Sequence, residues 1–255
     1  MLLLEELPGF LTVLINLHMR FDSTYVQKEP VNFTSLNPVG DCPGSLNGAM
    51  RDPDKCLVVI QEWWGMNEQI KQQALDIAGL GSMTTMVPDL YRGIVAENST
   101  EAIHLVTNLD YAGAIQDIKG AAQYLLKQGC RKVGVTGFCM GGALSLAAAA
   151  LVPEISAAAP FYGIPDPRLA NMSTIKIPVQ CHFGKLDRSN TANITEYTKL
   201  RQQLDAGDVN YEFYEYEAGH AFTNPHSRNY NESIAELSIG RMIDFMKKHL
   251  GGSGK

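Results

Sequence analysis

The chain has 255 residues, 45% of them hydrophobic, which suits one α/β domain with a full core. Its net charge of −6 excludes a nucleic-acid-binding surface. The cysteines at 42, 56, 130, 139 and 181 are odd in number and show no C-x-x-C spacing. That pattern reads as a reduced, cytoplasmic protein rather than a disulfide scaffold or a zinc site.

In chain order, Met1 to Phe21 is apolar but interrupted by Glu5, Glu6, Pro8, Gly9, His18 and Arg20. It therefore does not read as a membrane span, and it lacks the basic start of a secretory signal. Residues 1–30 are taken as an extension, 31–250 as the domain and 251–255 as a flexible Gly-rich tail. Val31 to Leu36 is expected to be a first strand. The Pro/Gly/Asp/Asn-rich stretch 37–54 reads as loop and hairpin, with a short strand near Leu46 to Met50. Cys56 to Ile60 is a continuous apolar run, as in a strand covered on both faces. Asn67 caps a predicted helix with Ile70, Ala74, Ile77 and Ala78 on one side. A strand over Thr84 to Val87 follows, then helices from about Thr100 and from Asp110 to Gln128. Strands are predicted at Lys132–Thr136, Ser156–Phe161, Ile177–Phe183 and Tyr211–Tyr216, interleaved with helices at Ala143–Leu151, Asn190–Ala206 and Asn231–Leu250. Alternation of this kind implies a mostly parallel, twisted sheet in a three-layer αβα arrangement, with the site beyond the carboxyl ends of the strands.

Strand ends carry the chemistry. Gly137-Phe138-Cys139-Met140-Gly141-Gly142 joins a buried strand to a buried helix. This is the G-x-nucleophile-x-G elbow of α/β-hydrolases with cysteine as the nucleophile. Such a turn also lifts the thiol to a helix N-terminus, which favours a thiolate. Glycine-rich strand-to-helix turns also bind phosphates, but neither G-x-G-x-x-G nor G-x-x-x-x-G-K-[ST] occurs here. Asp187 follows the 177–183 strand and His220 follows the 211–216 strand, completing the order nucleophile, acid, histidine. Their expected roles are tautomer control for Asp187, proton transfer for His220 and attack on a carbonyl carbon for Cys139. Glu62, at the end of the 56–60 strand, is positioned to hold or remove the thiol proton. The N–H groups of Met140 and Trp63 are the expected oxyanion donors.

These motifs, together with Gln61-Glu62-Trp63-Trp64-Gly65, Pro88-Asp89-Leu90-Tyr91-Arg92-Gly93, Phe161-Tyr162-Gly163, Gly184-Lys185-Leu186-Asp187 and Ala218-Gly219-His220-Ala221-Phe222, resemble the dienelactone hydrolase (carboxymethylenebutenolidase) family over roughly Val31 to Leu250. The resemblance implies an α/β-hydrolase fold and a Cys-Asp-His triad that opens an enol-lactone to maleylacetate. It also implies a glutamate, here Glu62, that contacts the resting thiol. In that family two arginines bind the substrate carboxylate. Arg92 matches the first roughly, displaced by one position, and Asn224 stands where the second is found. An amide is no equivalent of a bidentate cation, so the resemblance stops short of that contact.

The pocket is expected to use Trp63, Tyr91, Arg92, Phe138, Tyr162 and Asn224 for substrate. The reading is a cysteine-dependent hydrolase of a small lactone or ester, acting through an acyl-enzyme and needing no metal or organic cofactor. No nucleic-acid or membrane partner is expected, and the chain is expected to be a monomer or weak homo-oligomer. The alternatives are a small-molecule binding protein on the same fold, a general carboxylesterase or thioesterase, and a thiol redox protein; the last lacks a resolving cysteine near Cys139 in sequence.

Overall fold

A computed structural model describes residues 28–48 and 54–251. The apolar segment Met1 to Phe21 and the last four residues lie outside the described residues, so the expectations for them do too. Eight strands form one sheet: β1 (Lys28–Phe33), β2 (Cys42–Asn47), β3 (Cys56–Ile60), β4 (Thr84–Pro88), β5 (Val133–Phe138), β6 (Ile155–Phe161), β7 (Val179–Gly184) and β8 (Tyr211–Tyr216). Their spatial order is β1-β2-β4-β3-β5-β6-β7-β8. Strand β2 runs antiparallel to both neighbours, and all pairings from β4 to β8 are parallel. Among the described residues six α-helices follow in chain order: α1 (Glu68–Gly81), α2 (Ser99–Asn108), α3 (Tyr111–Lys127), α4 (Met140–Leu151), α5 (Ile194–Ala206) and α6 (Glu232–Leu250).

The period of two in a strand divides the core. Leu57 and Val59 of β3 face α1 and α6, where Ile70, Ala74, Ile77, Met242 and Met246 pack. Val58 and Ile60 face the opposite layer, with Ile115, Ile118 and Leu125 of α3, Leu144 and Ala147 of α4, and Leu200 and Leu204 of α5. Both faces of the central strands are thus covered, as their unbroken apolar runs require. The expected three-layer αβα architecture is the observed one. No helix among the described residues is long and apolar enough to cross a membrane.

Three expectations need correction. The first hairpin is shifted: β1 begins at Lys28 rather than Val31, and β2 begins at Cys42 rather than Leu46 and spans Cys42–Asn47, while the end of the expected strand, at 49 and 50, lies outside the described residues. Pro43 and Gly44 signal a loop in sequence, yet Gly44 sits inside the sheet, where a Cβ would press on the Val87 carbonyl, Met86 and Phe33. Helix α5 begins at Ile194, because Asn193 accepts from the Thr195 and Glu196 N–H groups and so starts the helix four residues late. Finally, Cys56 and Cys130 form a disulfide, against the expectation of five reduced thiols. They are 74 residues apart, but parallel pairing of β3 with β5 brings the start of one strand beside the approach to the other.

Candidate active site

The elbow places Cys139 between β5 and α4. Its backbone sits at φ 56° and ψ −115°, a combination that a residue with a Cβ adopts only when its surroundings hold it there. They do so on three sides. The Cys139 N–H donates to the Phe161 carbonyl at 3.1 Å, and the Ala143 N–H donates to the Cys139 carbonyl at 3.1 Å. A Cβ on Gly141 would strike the Ile60 and Gln61 carbonyls, and one on Gly142 the Phe161 carbonyl. Helix α4 starts at Met140 rather than Ala143 because these glycines are themselves helical.

His220 Nε2 lies 3.1 Å from Cys139 Sγ, and His220 Nδ1 lies 2.7 Å from Asp187 Oδ2. Asp187 follows β7, with its other oxygen accepting from the Ser189 N–H at 2.8 Å. The loop after β8 that carries His220 is tied by Asn229, whose Nδ2 donates to the His220 carbonyl at 2.9 Å. The ring also meets Tyr162 edge-on at 5.2 Å between centroids. Burial opposes charge on His220. The Asp187 carboxylate and the Cys139 sulfur outweigh that and push the imidazolium up to about 10. Burial likewise works against the Asp187 carboxylate, but its bond to His220 and the Ser189 N–H hold it below the usual carboxylate range.

Glu62 is 4% exposed and is held from both ends. Asn224 Nδ2 donates to Oε2 at 2.6 Å, and the Tyr162 hydroxyl donates to Oε1 at 3.3 Å. Burial raises its carboxyl, against the opposing pull of Asn224, the His220 charge and Tyr162. The expected contact with the resting thiol is not the one observed, since the sulfur is hydrogen bonded to His220 and the carboxylate to Asn224 and Tyr162.

A cavity of about 1070 Å³ opens over Cys139. Trp63, Met140, Glu62, His220 and Asn224 line it. The Met140 N–H is the first of α4 and has no acceptor within the helix. Tyr91, Arg92, Phe138 and Tyr162, expected to meet substrate, do not line the cavity. Phe138 and Tyr162 are fully buried. The Tyr91 hydroxyl is turned to Met140 Sδ at 3.3 Å. Arg92 is bidentate on Asp117, at 3.0 and 2.8 Å. Sequence patterns do not separate a wall aromatic from a core one, which accounts for Tyr91, Phe138 and Tyr162; Arg92 is expected from the resemblance alone, and the structure commits it to Asp117. Trp64, Tyr111, Ile164, Leu169 and Arg228 also form the wall, and Asn229 orients the His220 loop, none of them expected from the sequence. Apart from Trp64, beside the β3 strand end, none carried a sequence signal.

The dienelactone hydrolase family matches residues 44–250. The protein Usf of Aquifex pyrophilus is 29% identical over 206 residues, covering 76% of this chain and 88% of its own length. The carboxymethylenebutenolidase of Pseudomonas putida is 27% identical over 216 residues, covering 80% of this chain and 90% of its own. Among solved structures, a dienelactone hydrolase-like promiscuous phosphotriesterase from metagenomic libraries aligns with a TM-score of 0.76 at 19% identity, over 88% of this chain and 99% of that one. An esterase of Pyrococcus furiosus aligns with a TM-score of 0.63 at 15% identity, over 89% and 94%. At these identities the two structures speak for the fold.

Proposed function

This chain belongs to the dienelactone hydrolase family and is a hydrolase of ester or lactone bonds, and we propose that it works through an acyl-enzyme on Cys139. The observation that carries this reading is the unbroken Cys139–His220–Asp187 hydrogen-bond chain, of 3.1 and 2.7 Å, at the floor of the cavity.

Cys139 gives its thiol proton to His220 Nε2, its sulfur attacks the carbonyl carbon, and the electron pair of the C=O bond moves to oxygen. The N–H groups of Met140 and Trp63 receive that oxyanion. Collapse breaks the bond to the leaving oxygen, which takes the proton from His220 Nε2. Water then adds to the thioester with His220 as its base. The second collapse frees the acid and returns the thiol. Asp187 keeps Nδ1 protonated and balances the imidazolium. Glu62 supplies a second carboxylate near that imidazolium, without a direct bond to the sulfur. A stabilised leaving group, such as the enolate of an activated lactone, suits a thiolate nucleophile. The cavity volume also admits esters much larger than a small lactone.

The test is mass spectrometry of reactions stopped early, with a panel of activated esters and dienelactones. A transient acyl adduct on the Cys139 peptide with repeated turnover is expected. Cys139→Ala should lose turnover by at least about 10³-fold while its far-ultraviolet circular dichroism is unchanged. Full activity in that variant, or tight ligand binding with no turnover by the wild type, would sink the reading; the second result would favour a binding protein.

A further inference from the structure

Glu62 and Asn224 form a buried pair on the cavity wall, 4% and 6% exposed. The Asn224 side-chain oxygen accepts from the His226 N–H at 2.9 Å, which fixes the nitrogen as the end that faces Glu62. That nitrogen takes one carboxylate oxygen at 2.6 Å, and the Tyr162 hydroxyl takes the other. The same hydroxyl lies 2.6 Å from Thr223 Oγ1, so it too is held in place. Both oxygens of this buried carboxyl group therefore end on neutral donors, and no cation is hydrogen bonded to it; the His220 charge acts on it only at a distance.

The other charged groups lining the cavity do not alter this. His220 is turned to Asp187 and Cys139. Arg168 is paired with Asp166 at 2.6 Å, both of them exposed. Arg228 and His226 also line the cavity, but both are exposed, where water screens their charge. Arg92 is committed to Asp117 and does not line the cavity. Among the described residues no lysine lines the cavity.

Resting on the hydrolase reading above, we propose that Asn224 sets the charge preference of the site: by holding Glu62 with a neutral hydrogen bond it leaves the inner cavity negative. The inner cavity then disfavours a carboxylate on the acyl portion of the substrate and takes lactones and esters whose acyl end is uncharged. A substrate anion would have to meet the Glu62 carboxylate in a site where water screens it poorly. An arginine at 224 would pair with Glu62 and still have N–H groups to offer an incoming carboxylate. Asn224 is thus a specificity residue acting through Glu62.

Two matched pairs of reagents test this. The first is 4-nitrophenyl butyrate against mono-4-nitrophenyl succinate, compared by kcat/KM. The second is iodoacetamide against iodoacetate, compared by the rate of alkylation of the Cys139 peptide and normalised to glutathione. Wild type should favour the neutral ester by about ten-fold or more. Asn224→Gln should keep that preference. Asn224→Arg should narrow it by about ten-fold and move the alkylation ratio toward iodoacetate in the same sense. Glu62→Gln should do likewise, at whatever absolute rate it retains, and carries the test if Asn224→Arg does not fold. A purely structural loss would lower both members of a pair together and leave the ratios still. Ratios unmoved in Asn224→Arg and Glu62→Gln, or a wild type indifferent to the charge of the ester, would overturn the proposal. If no ester is turned over but the alkylation ratios shift as stated, the charge preference stands and the hydrolase reading falls.

Discussion

His220 draws its behaviour from two neighbours, and its pH response follows from them. Its folded pKa is raised, to about 10, so the stability it contributes is complete below its unfolded value near 6.5 and is lost as pH rises through about 10. Asp187 is the partner whose removal should show this. We expect Asp187→Asn to lower kcat by up to about 10⁴-fold at neutral pH. The gap in denaturation midpoint between wild type and Asp187→Asn should shrink steadily as pH rises from 6.5 to 10. A gap that widens over that range would contradict the raised His220. The candidate residues themselves were legible because strand ends are few and Cys139, Asp187 and His220 occupy three of them in one order. What Glu62 touches was not legible. Its partners lie 100 and 162 residues away, and only folding decides whether a thiol, a tyrosine or an amide reaches it first.

The elbow is an element-scale device, because one strand, one helix and the neighbouring carbonyls together hold a single residue at positive φ. Gly141 shows how tightly they close on it. Its missing Cβ is the space occupied by the Ile60 and Gln61 carbonyls, which end the strand leading to Glu62. Gly141→Ala should therefore cost about 1–3 kcal/mol in urea unfolding and also depress turnover, since relieving the clash moves Cys139 against its histidine. Stability equal to wild type with activity retained would count against so close an approach. Most elements could be read from sequence pattern alone, the central strands from their continuous apolar runs and α1 from its capping Asn67 and apolar face. The first hairpin could not. Proline and glycine in β2 argue for a loop, and only the packing of Phe33 and Met86 around Gly44 explains why a strand tolerates them.

Across the whole molecule, the disulfide joins two strands at the end of the sheet opposite the site. Cys56 opens β3, whose far end leads to Glu62, and Cys130 precedes β5, whose far end carries Cys139. Closing a 74-residue loop stabilises the folded state by about 4 kcal/mol in the chain-entropy account. For a domain of this size, the double variant Cys56→Ser/Cys130→Ser should then melt roughly 10 °C lower. Thiol titration of the unfolded wild type should find three free groups, Cys42, Cys139 and Cys181, and five after reduction. An unchanged melting temperature, or five free thiols before reduction, would remove the disulfide from the account. Its absence from the sequence reading has a plain cause: cysteine spacing carries no information about which strands become neighbours.

Asp117, on α3, gathers donors from separate parts of the chain. Arg92 gives two, Ser35 donates to Oδ1 at 2.6 Å and Asn37 donates to Oδ2 at 2.8 Å. The carboxylate is almost fully buried. The family match begins at residue 44, downstream of both Ser35 and Asn37 and of the whole of β1. A fragment trimmed to that boundary would strip a buried anion of two of its partners and leave β2 with one neighbour instead of two. A piece meant to stand alone therefore has to include β1 from Lys28, sixteen residues ahead of the line that shared ancestry marks.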